Sequence, residues 1–185
     1  LPEGWTGKNW ACHQLYVASR GDVLLYCDAD TQIGRDLIRD AVAELENRAL
    51  GFVSIFPQRK STNVFDRWIW SFTSWVIASW VPLWLAYQTR LGVLAVGFGQ
   101  FLMLRRNAYE SIGGYEALCG NSLDDFEIAR RIQAAGIDWR VYSSGGRLTT
   151  AGYRSTKDAI EGYGKSIFPV LGRNGLTLFL AWLLL

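Results

Sequence analysis

The chain has 185 residues, about one domain's worth, of which 50% are hydrophobic and 19% charged; a chain this apolar can offset its ordering entropy, which excludes an intrinsically disordered segment. Nineteen basic and 17 acidic side chains leave a net charge of +2, too small an excess for a nucleic-acid binder that works by phosphate neutralisation. Three scattered cysteines (Cys12, Cys27, Cys119), no CxxC pair and one histidine, His13, exclude a disulfide framework and a multi-histidine zinc site.

In chain order, residues 1–5 carry neither the basic nor the apolar run of a signal peptide. Residues 22–27 are mostly apolar and read as a buried parallel strand, ending in Asp28-Ala29-Asp30-Thr31. A helix is expected over 35–49, with Leu37, Ile38, Ala41, Val42 and Leu45 on one face and Arg35, Asp36, Arg39, Asp40 and Glu46 on the other. Gly51 closes it, and residues 52–56 read as a second strand stopped by Pro57. Strand, helix, strand predicts a βαβ unit with a right-handed crossover in a parallel sheet.

Residues 68–89 contain no charged side chain and hold Trp68, Trp70, Trp75, Trp80 and Trp84; a second uncharged run lies between Arg90 and Arg105. Serine, threonine and proline dilute the first run, and tryptophan favours the headgroup region over the hydrocarbon centre. Helices lying in a membrane interface over 68–104 are therefore expected in preference to a span, with a buried core helix pair as the alternative. From 105 onward the pattern is again that of an α/β domain. It predicts a helical turn over 107–112 stopped by Gly113-Gly114, and a helix over 125–135 with Phe126, Ile128, Ala129 and Ile132 inward. An alternating strand through Ile137, Trp139 and Val141 follows. Basic residues Arg154, Lys157, Lys165 and Arg173 precede residues 175–185, an almost wholly apolar stretch about half as long as a transmembrane helix. Both ends read as cut, so the sequence is expected to be an interior piece of a longer protein.

Asp28 and Asp30, at the carboxyl end of a strand where open α/β sheets bind ligands, can share a divalent ion. Mg²⁺ or Mn²⁺ suits such a pair because it accepts a few carboxylates plus substrate phosphates; the plainer reading is a turn or helix cap. Asp124-Asp125 opens a helix, where carboxylates favour the dipole; the functional alternative is a general base. Glu127 reads as a surface residue. Gly97-Phe98-Gly99-Gln100 before an apolar strand is either a tight turn or a close backbone approach to a ligand. Lys8 is not part of a P-loop, whose spacing is absent.

Together and in this order, Gly7-Lys8, Asp28-Ala29-Asp30-Thr31, Gly97 to Arg106, Ile112-Gly113-Gly114-Tyr115 and Asp124-Asp125-Phe126-Glu127 resemble a family 2 glycosyltransferase with the GT-A fold. The segments Gly4 to Ala11 and Tyr153-Arg154 through Phe168 resemble the membrane-bound branch associated with hopanoid and carotenoid glycosylation. The resemblance implies a partial GT-A domain over 1–170, a Rossmann-like and mostly parallel sheet with flanking helices, followed by the start of a transmembrane helix at 175–185. It implies an inverting, metal-dependent transfer from a UDP- or GDP-sugar to a lipid hydroxyl, at the cytoplasmic face of the cell membrane. Carried over by residue, Asp28 and Asp30 hold Mg²⁺ or Mn²⁺ and the diphosphate, Asp125 is the base and Asp124 its acidic neighbour. Gly99 and Gln100 line the sugar or acceptor pocket, and Lys8 and Arg154 lie near donor or acceptor. A polyprenyl-phosphate or polysaccharide glycosyltransferase and a non-catalytic membrane scaffold that kept the fold are the alternatives.

Overall fold

The computed structural model describes residues 1–170. The first element is a helix that hydrophobic patterning does not announce, α1 (Gly7–Ala18), started by Thr6, whose hydroxyl accepts the Asn9 N–H. Then follow β1 (Val23–Tyr26), β2 (Thr31–Ile33), α2 (Leu37–Asn47), β3 (Phe52–Phe56) and β4 (Gln58–Lys60). The tryptophan-rich stretch forms α3 (Val64–Trp80) and α4 (Leu83–Ala86). The remainder is β5 (Leu102–Arg105), α5 (Arg106–Ser111), α6 (Asp124–Ala134), β6 (Trp139–Ser143), β7 (Leu148–Ala151) and α7 (Thr156–Val170).

The main sheet has the order β1-β5-β3-β6. β5 runs antiparallel to both β1 and β3, with Leu104 opposite Leu24 on one side and Phe52 on the other; β3 and β6 are parallel, with Phe52 opposite Trp139. The expected βαβ unit is corrected accordingly. β1 and β3 share a direction, but β5 fills the slot between them, so β3 and β6 form the single parallel ladder of this sheet, and "mostly parallel" describes strand directions and not pairings. Periodicity reports which residues are buried, not which strand arrives later to occupy a neighbouring slot. A second sheet, β2-β7-β4, went unpredicted because its strands Thr-Gln-Ile, Gln-Arg-Lys and Leu-Thr-Thr-Ala carry little apolar signal.

Both faces of the main sheet are buried, as a three-layer α/β/α architecture requires. Leu24, Phe52, Leu102, Leu104 and Trp139 join Tyr109, Tyr115, Ile128 and Ile132 from α5, α6 and the loop between them. On the other face Val53, Ile55 and Met103 meet Leu37, Ala41 and Leu45 of α2. The alternation of Phe52 with Val53, and of Leu102 and Leu104 with Met103, is the period of two that a strand imposes.

No described residue of α3 belongs to either core cluster, whereas Ala86 of α4 does, with Val81, Leu83 and Tyr87 packed against that cluster; of residues 68–89, the buried-helix alternative fails for α3 and holds for the segment after it. Val64, Trp68, Phe72 and Trp75 instead form an exposed stripe at helical spacing, with Trp68 over Phe72 and Phe72 over Trp75 at ring centroids 6.1 and 6.2 Å apart. Among the described residues no helix is long and apolar enough to cross a membrane. The expected transmembrane start at 175–185 lies outside them, as does Arg173.

α3 is tethered by its first turn. Asp66, fully buried, receives both contacts of the Arg59 Nε at 3.2 Å and the Tyr163 hydroxyl of α7 at 2.9 Å, and the Arg59 guanidinium lies over the Tyr153 ring at 4.5 Å. Asp66→Asn strips a buried cation of its counter-charge and should cost about 3–5 kcal/mol in denaturant unfolding. A loss under about 1 kcal/mol, the scale of solvated pairs, would contradict the burial described.

Candidate active site

The carboxyl ends of β1, β3 and β6, the loop entering β5 and the start of α6 meet at one edge of the main sheet, because β5 alone runs the other way. α1 reaches this edge through Asn9, which is buried and donates from Nδ2 to the carbonyls of Leu118 (2.7 Å) and Asn121 (2.8 Å). That anchor turns the preceding residue, Lys8, toward the acids. Lys8 Nζ lies 3.0 Å from Asp124 and 3.5 Å from Asp28.

The loop inside the second uncharged run that leads into β5 is held from below by Ser54, a polar residue inside an apolar strand. Its hydroxyl accepts the Phe98 N–H at 2.9 Å and donates to the Phe101 carbonyl at 3.0 Å. Gly97 then passes so close to α6 that a Cβ there would sit 2.7 Å from the Asp125 carbonyl oxygen. At Gly99 the same test finds the site itself. One point, where a Cβ would stand, is 3.3 Å from Lys8 Nζ, 3.4 Å from Asp125 Oδ2 and 3.7 Å from Asp28 Oδ2. The segment is a turn, Phe98 to Phe101, closed by the Phe101 N–H on the Phe98 carbonyl at 2.9 Å, and its glycine backbone also passes close to α6 and Lys8.

Asp125 accepts the Gly99 N–H at 3.0 Å through Oδ2 and its own neighbour's N–H, that of Phe126, at 2.9 Å through Oδ1. Burial, reinforced by the adjacent Asp124 charge, raises its carboxyl to about 6; Lys8 and the two N–H groups pull the other way. For Lys8, burial opposes the ammonium, but Asp124 and Asp28 outweigh it and hold the amine at about 12, so Lys8 stays a cation. Asp124 is nearly inaccessible, its side chain 4% exposed, and accepts the hydroxyl of the fully buried Tyr115 at 3.0 Å. Burial and that neighbouring carboxylate drive the Tyr115 phenol far above its ordinary range, leaving it a fixed hydrogen-bond donor.

Gln100 donates from Nε2 to Asp28 Oδ2 at 3.3 Å. Asp30 faces the second sheet, where its Oδ2 accepts the Thr150 hydroxyl of β7 at 3.2 Å. The structure thus brings together Lys8, Asp28, Gly99, Gln100, Asp124 and Asp125, with Asp30 one turn residue away in sequence and held separately. Arg154 is exposed, between β7 and α7, and is not part of the cluster. Glu127 is engaged by Arg130 (2.5 Å) and Arg131 (2.8 Å) along α6, a structural role. Asn9 and Tyr115 lay inside segments that carry the family resemblance but had no role assigned, and Ser54 and Thr150 had none either; Ser54 left a further trace as a hydroxyl in a buried run.

Asp28 and Asp30 are hard oxygen ligands, and among the described residues no group of three or more His, Cys, Asp or Glu could hold a metal ion. By donor chemistry two carboxylates suit Mg²⁺ or Mn²⁺ in the mode where a ligand's phosphates complete the coordination shell; here Asp28 is engaged by Lys8 and Gln100 and Asp30 by Thr150.

The model of glycosyl transferase family 21 matches residues 2–151. Among solved structures, the chain is similar to a mannosyltransferase from Pyrobaculum calidifontis in complex with GDP-Man and Mn²⁺, with 17% identity and a TM-score of 0.57, over 86% of this chain and 40% of that one. A mannosyl-3-phosphoglycerate synthase from Rubrobacter xylanophilus is similar at 16% identity and TM-score 0.47, over 91% of this chain and 51% of that one. At these identities the likeness with the first is one of fold, and the chain spans only about half or less of either protein's length. No curated protein matches the chain.

Proposed function

The chain belongs to glycosyl transferase family 21, and from that premise we propose that it moves a sugar, with inversion, from a nucleotide-sugar donor to a lipid hydroxyl at a membrane surface. The observation that carries this reading is the convergence of Lys8, Asp28 and Asp125 on the space above Gly99. Acid, cation and a candidate base share one open spot beside a backbone that carries no side chain.

Each group has a role that its surroundings favour. Asp125, with a carboxyl near 6, is ionised at neutral pH yet basic enough to take a proton from an attacking hydroxyl, the match that general-base catalysis requires. The Gly99 N–H and the Phe126 N–H fix both its oxygens, so little reorientation precedes transfer. Lys8, permanently charged, keeps the paired acids together before a donor arrives and can neutralise a diphosphate beside Asp28. Asp28 and Asp30 would hold the divalent ion with the diphosphate; when bound, it supplies Lewis-acid stabilisation of the departing nucleoside diphosphate. Tyr115 and Lys8 keep Asp124 oriented, and its charge in turn keeps Asp125 basic.

A membrane acceptor is supported by α3. A helix that contributes nothing to the core and presents Trp68, Phe72 and Trp75 to the outside has the composition of an interfacial segment. The exposed free thiol of Cys27 accords with a reducing, cytoplasmic side. The protein is expected to co-sediment with phospholipid vesicles, and Trp68→Ala with Trp75→Ala to weaken this by about tenfold at unchanged melting temperature, since each buried ring contributes on the order of 1 kcal/mol or more. Equal sedimentation of parent and double variant would remove this helix as the anchor. Donor chemistry is tested separately, by the loss of sugar transfer in the Asp125 and Asp30 variants taken up in the Discussion.

A further inference from the structure

The two helices that leave the second sheet share a surface outside the acidic cluster. β4 and β7 run parallel, with Lys60 opposite Ala151, and each leads within a few residues into a helix, β4 into α3 and β7 into α7. The helices start side by side. Asn63, which caps α3 through its side-chain oxygen, donates from Nδ2 to the Thr156 hydroxyl of α7 at 3.4 Å, and the Tyr163 hydroxyl reaches Asp66. Between the two starts lies an open groove of about 530 Å³, lined by Asn63, Val64, Phe65, Trp68 and Thr156. Val64 and Trp68 are the first members of the exposed stripe. Ile160, one turn after Thr156, adds an apolar side chain from α7; it is 57% exposed and Trp68 is 65% exposed, so both present free surface.

Cations gather at this end of the stripe. Arg67 lies in the first turn of α3, Lys157 in the first turn of α7 and Arg154 just before it, all three exposed. Among the described residues none of the three has an ion-pair partner, whereas the exposed Arg39, Arg48, Arg130 and Arg147 are each paired with a carboxylate. Arg67 follows Val64 by three positions and Lys157 precedes Ile160 by three, so each stands beside an apolar member of the surface. The exposed acids of α7, Asp158 and Glu161, occupy another row; at about 3.6 residues per turn it lies across the helix from Thr156 and Ile160. Beyond Arg67, α3 carries no charge, so Phe72 and Trp75 extend from the cationic end as a purely apolar continuation. The chemistry of this surface narrows its partner. Unpaired cations beside an apolar stripe fit a layer that has negative oxygens above a hydrocarbon interior. A nucleic acid would answer the cations and leave Trp68, Phe72 and Trp75 in water. A second copy of this chain, placed by a two-fold axis, would bring like charges together.

We propose that the starts of α3 and α7 dock on anionic phospholipid, with Arg67, Arg154 and Lys157 against the lipid phosphates and Trp68, Phe72 and Trp75 in the boundary of the acyl chains. The proposal rests on the membrane reading above and adds to it the charge of the leaflet and the end of α3 that meets the headgroups. It also gives Arg154, which stands apart from the acidic cluster, a ligand of its own.

The test is co-sedimentation of the whole chain with two kinds of vesicle, phosphatidylcholine alone and phosphatidylcholine with about one-third phosphatidylglycerol. At about 0.1 M salt the anionic vesicles should bind the protein about tenfold or more tightly than the neutral ones, and at about 1 M salt, where screening is nearly complete, the advantage should disappear. Combining Arg67→Gln, Arg154→Gln and Lys157→Gln should bring the two affinities within about twofold of each other. Binding to neutral vesicles and the melting temperature should not change, because none of the three side chains has an ion pair to lose. Equal binding of the parent to both vesicles, or a preference that survives the triple variant, would overturn the proposal and leave the membrane reading standing. Binding to neither vesicle would overturn both. A stable dimer in solution that Trp68→Ala dissociates would assign the face to a second copy and overturn the proposal as well.

Discussion

Asp125→Asn is expected to depress sugar transfer by roughly 10²–10⁴-fold, the usual contribution of a positioned general base, while donor affinity stays within about twofold. The separation follows from geometry. Asp125 accepts the Gly99 N–H at Oδ2 and the Phe126 N–H at Oδ1; the single oxygen of an asparagine keeps one of them, and Ser54 still ties Phe98 and Phe101, so the loop before β5 keeps its place. What is lost is the basic oxygen beside Gly99. The raised carboxyl makes two further expectations. Transfer in the parent should rise with pH through about 6 and level off above, because only the ionised form can take a proton. Stability should move the other way. A folded carboxyl near 6 against an ordinary value of 3.8 means that the native state binds the extra proton between those values. The favourable contribution is therefore complete below the ordinary carboxyl range and is lost as pH rises through about 6. Between pH 4 and pH 8 the parent should lose up to about 3 kcal/mol of stability relative to the asparagine variant, for a two-unit shift, on top of the pH-independent cost of the hydrogen bond that asparagine gives up. Chemical denaturation of both proteins at the two pH values checks the sign; near-normal turnover in the variant would remove Asp125 from the role of base.

Chelation is the second large effect. Two carboxylates alone bind Mg²⁺ or Mn²⁺ weakly, since the ion fills its remaining positions from phosphates. Mn²⁺ by itself should barely change the melting temperature. With a nucleoside diphosphate present it should raise the temperature by several degrees, as ligand binding to the native state alone requires. Asp30→Ala should erase that increment and abolish donor turnover, even though Asp30 is the acid less engaged with the cluster and more with Thr150. Losing the Thr150 contact alone, by Thr150→Val, should cost far less, because the metal ligand remains. Undiminished turnover in EDTA would dismiss the divalent ion altogether. Lys8 bears on the same experiment. Its ammonium already neutralises Asp28 and Asp124, so Mn²⁺ competes with it, one more reason that the ion should bind well only with its phosphates.

How much of this could be read before folding depends on the kind of signal each residue leaves. β3 and α6 were legible within a residue or so, because an apolar run ended by proline and an inward stripe ended by glycine are local patterns. α1 was not, since its buried face toward the core is small and its pin, Asn9, is an ordinary polar residue until it meets the carbonyls of Leu118 and Asn121. The short polar strands of the second sheet were invisible for the same reason. Ser54 left a trace, and Tyr115 left only the two glycines that precede it. In the candidate site, the acids at 28, 30, 124 and 125 stood out by type and by their place at element ends. Their partners Lys8, Gly99 and Gln100 were placed there only by the family resemblance, because a lysine 20 residues before the first acid carries no mark of its own of where its amine will lie.

The sequence by itself determined the layered α/β class, the termini of the central strands, the acidic positions and an aromatic segment unsuited to a core, since each is a matter of local composition and period. Only the tertiary structure decided that β5 lies antiparallel between β1 and β3, that Lys8 joins Asp28 to Asp124, that Asp30 turns aside to Thr150, and that Arg154 stands apart. These are long-range pairings. They are settled by which surfaces pack together and which buried polar groups find partners, and no stretch of chain holds that information until the others have met it.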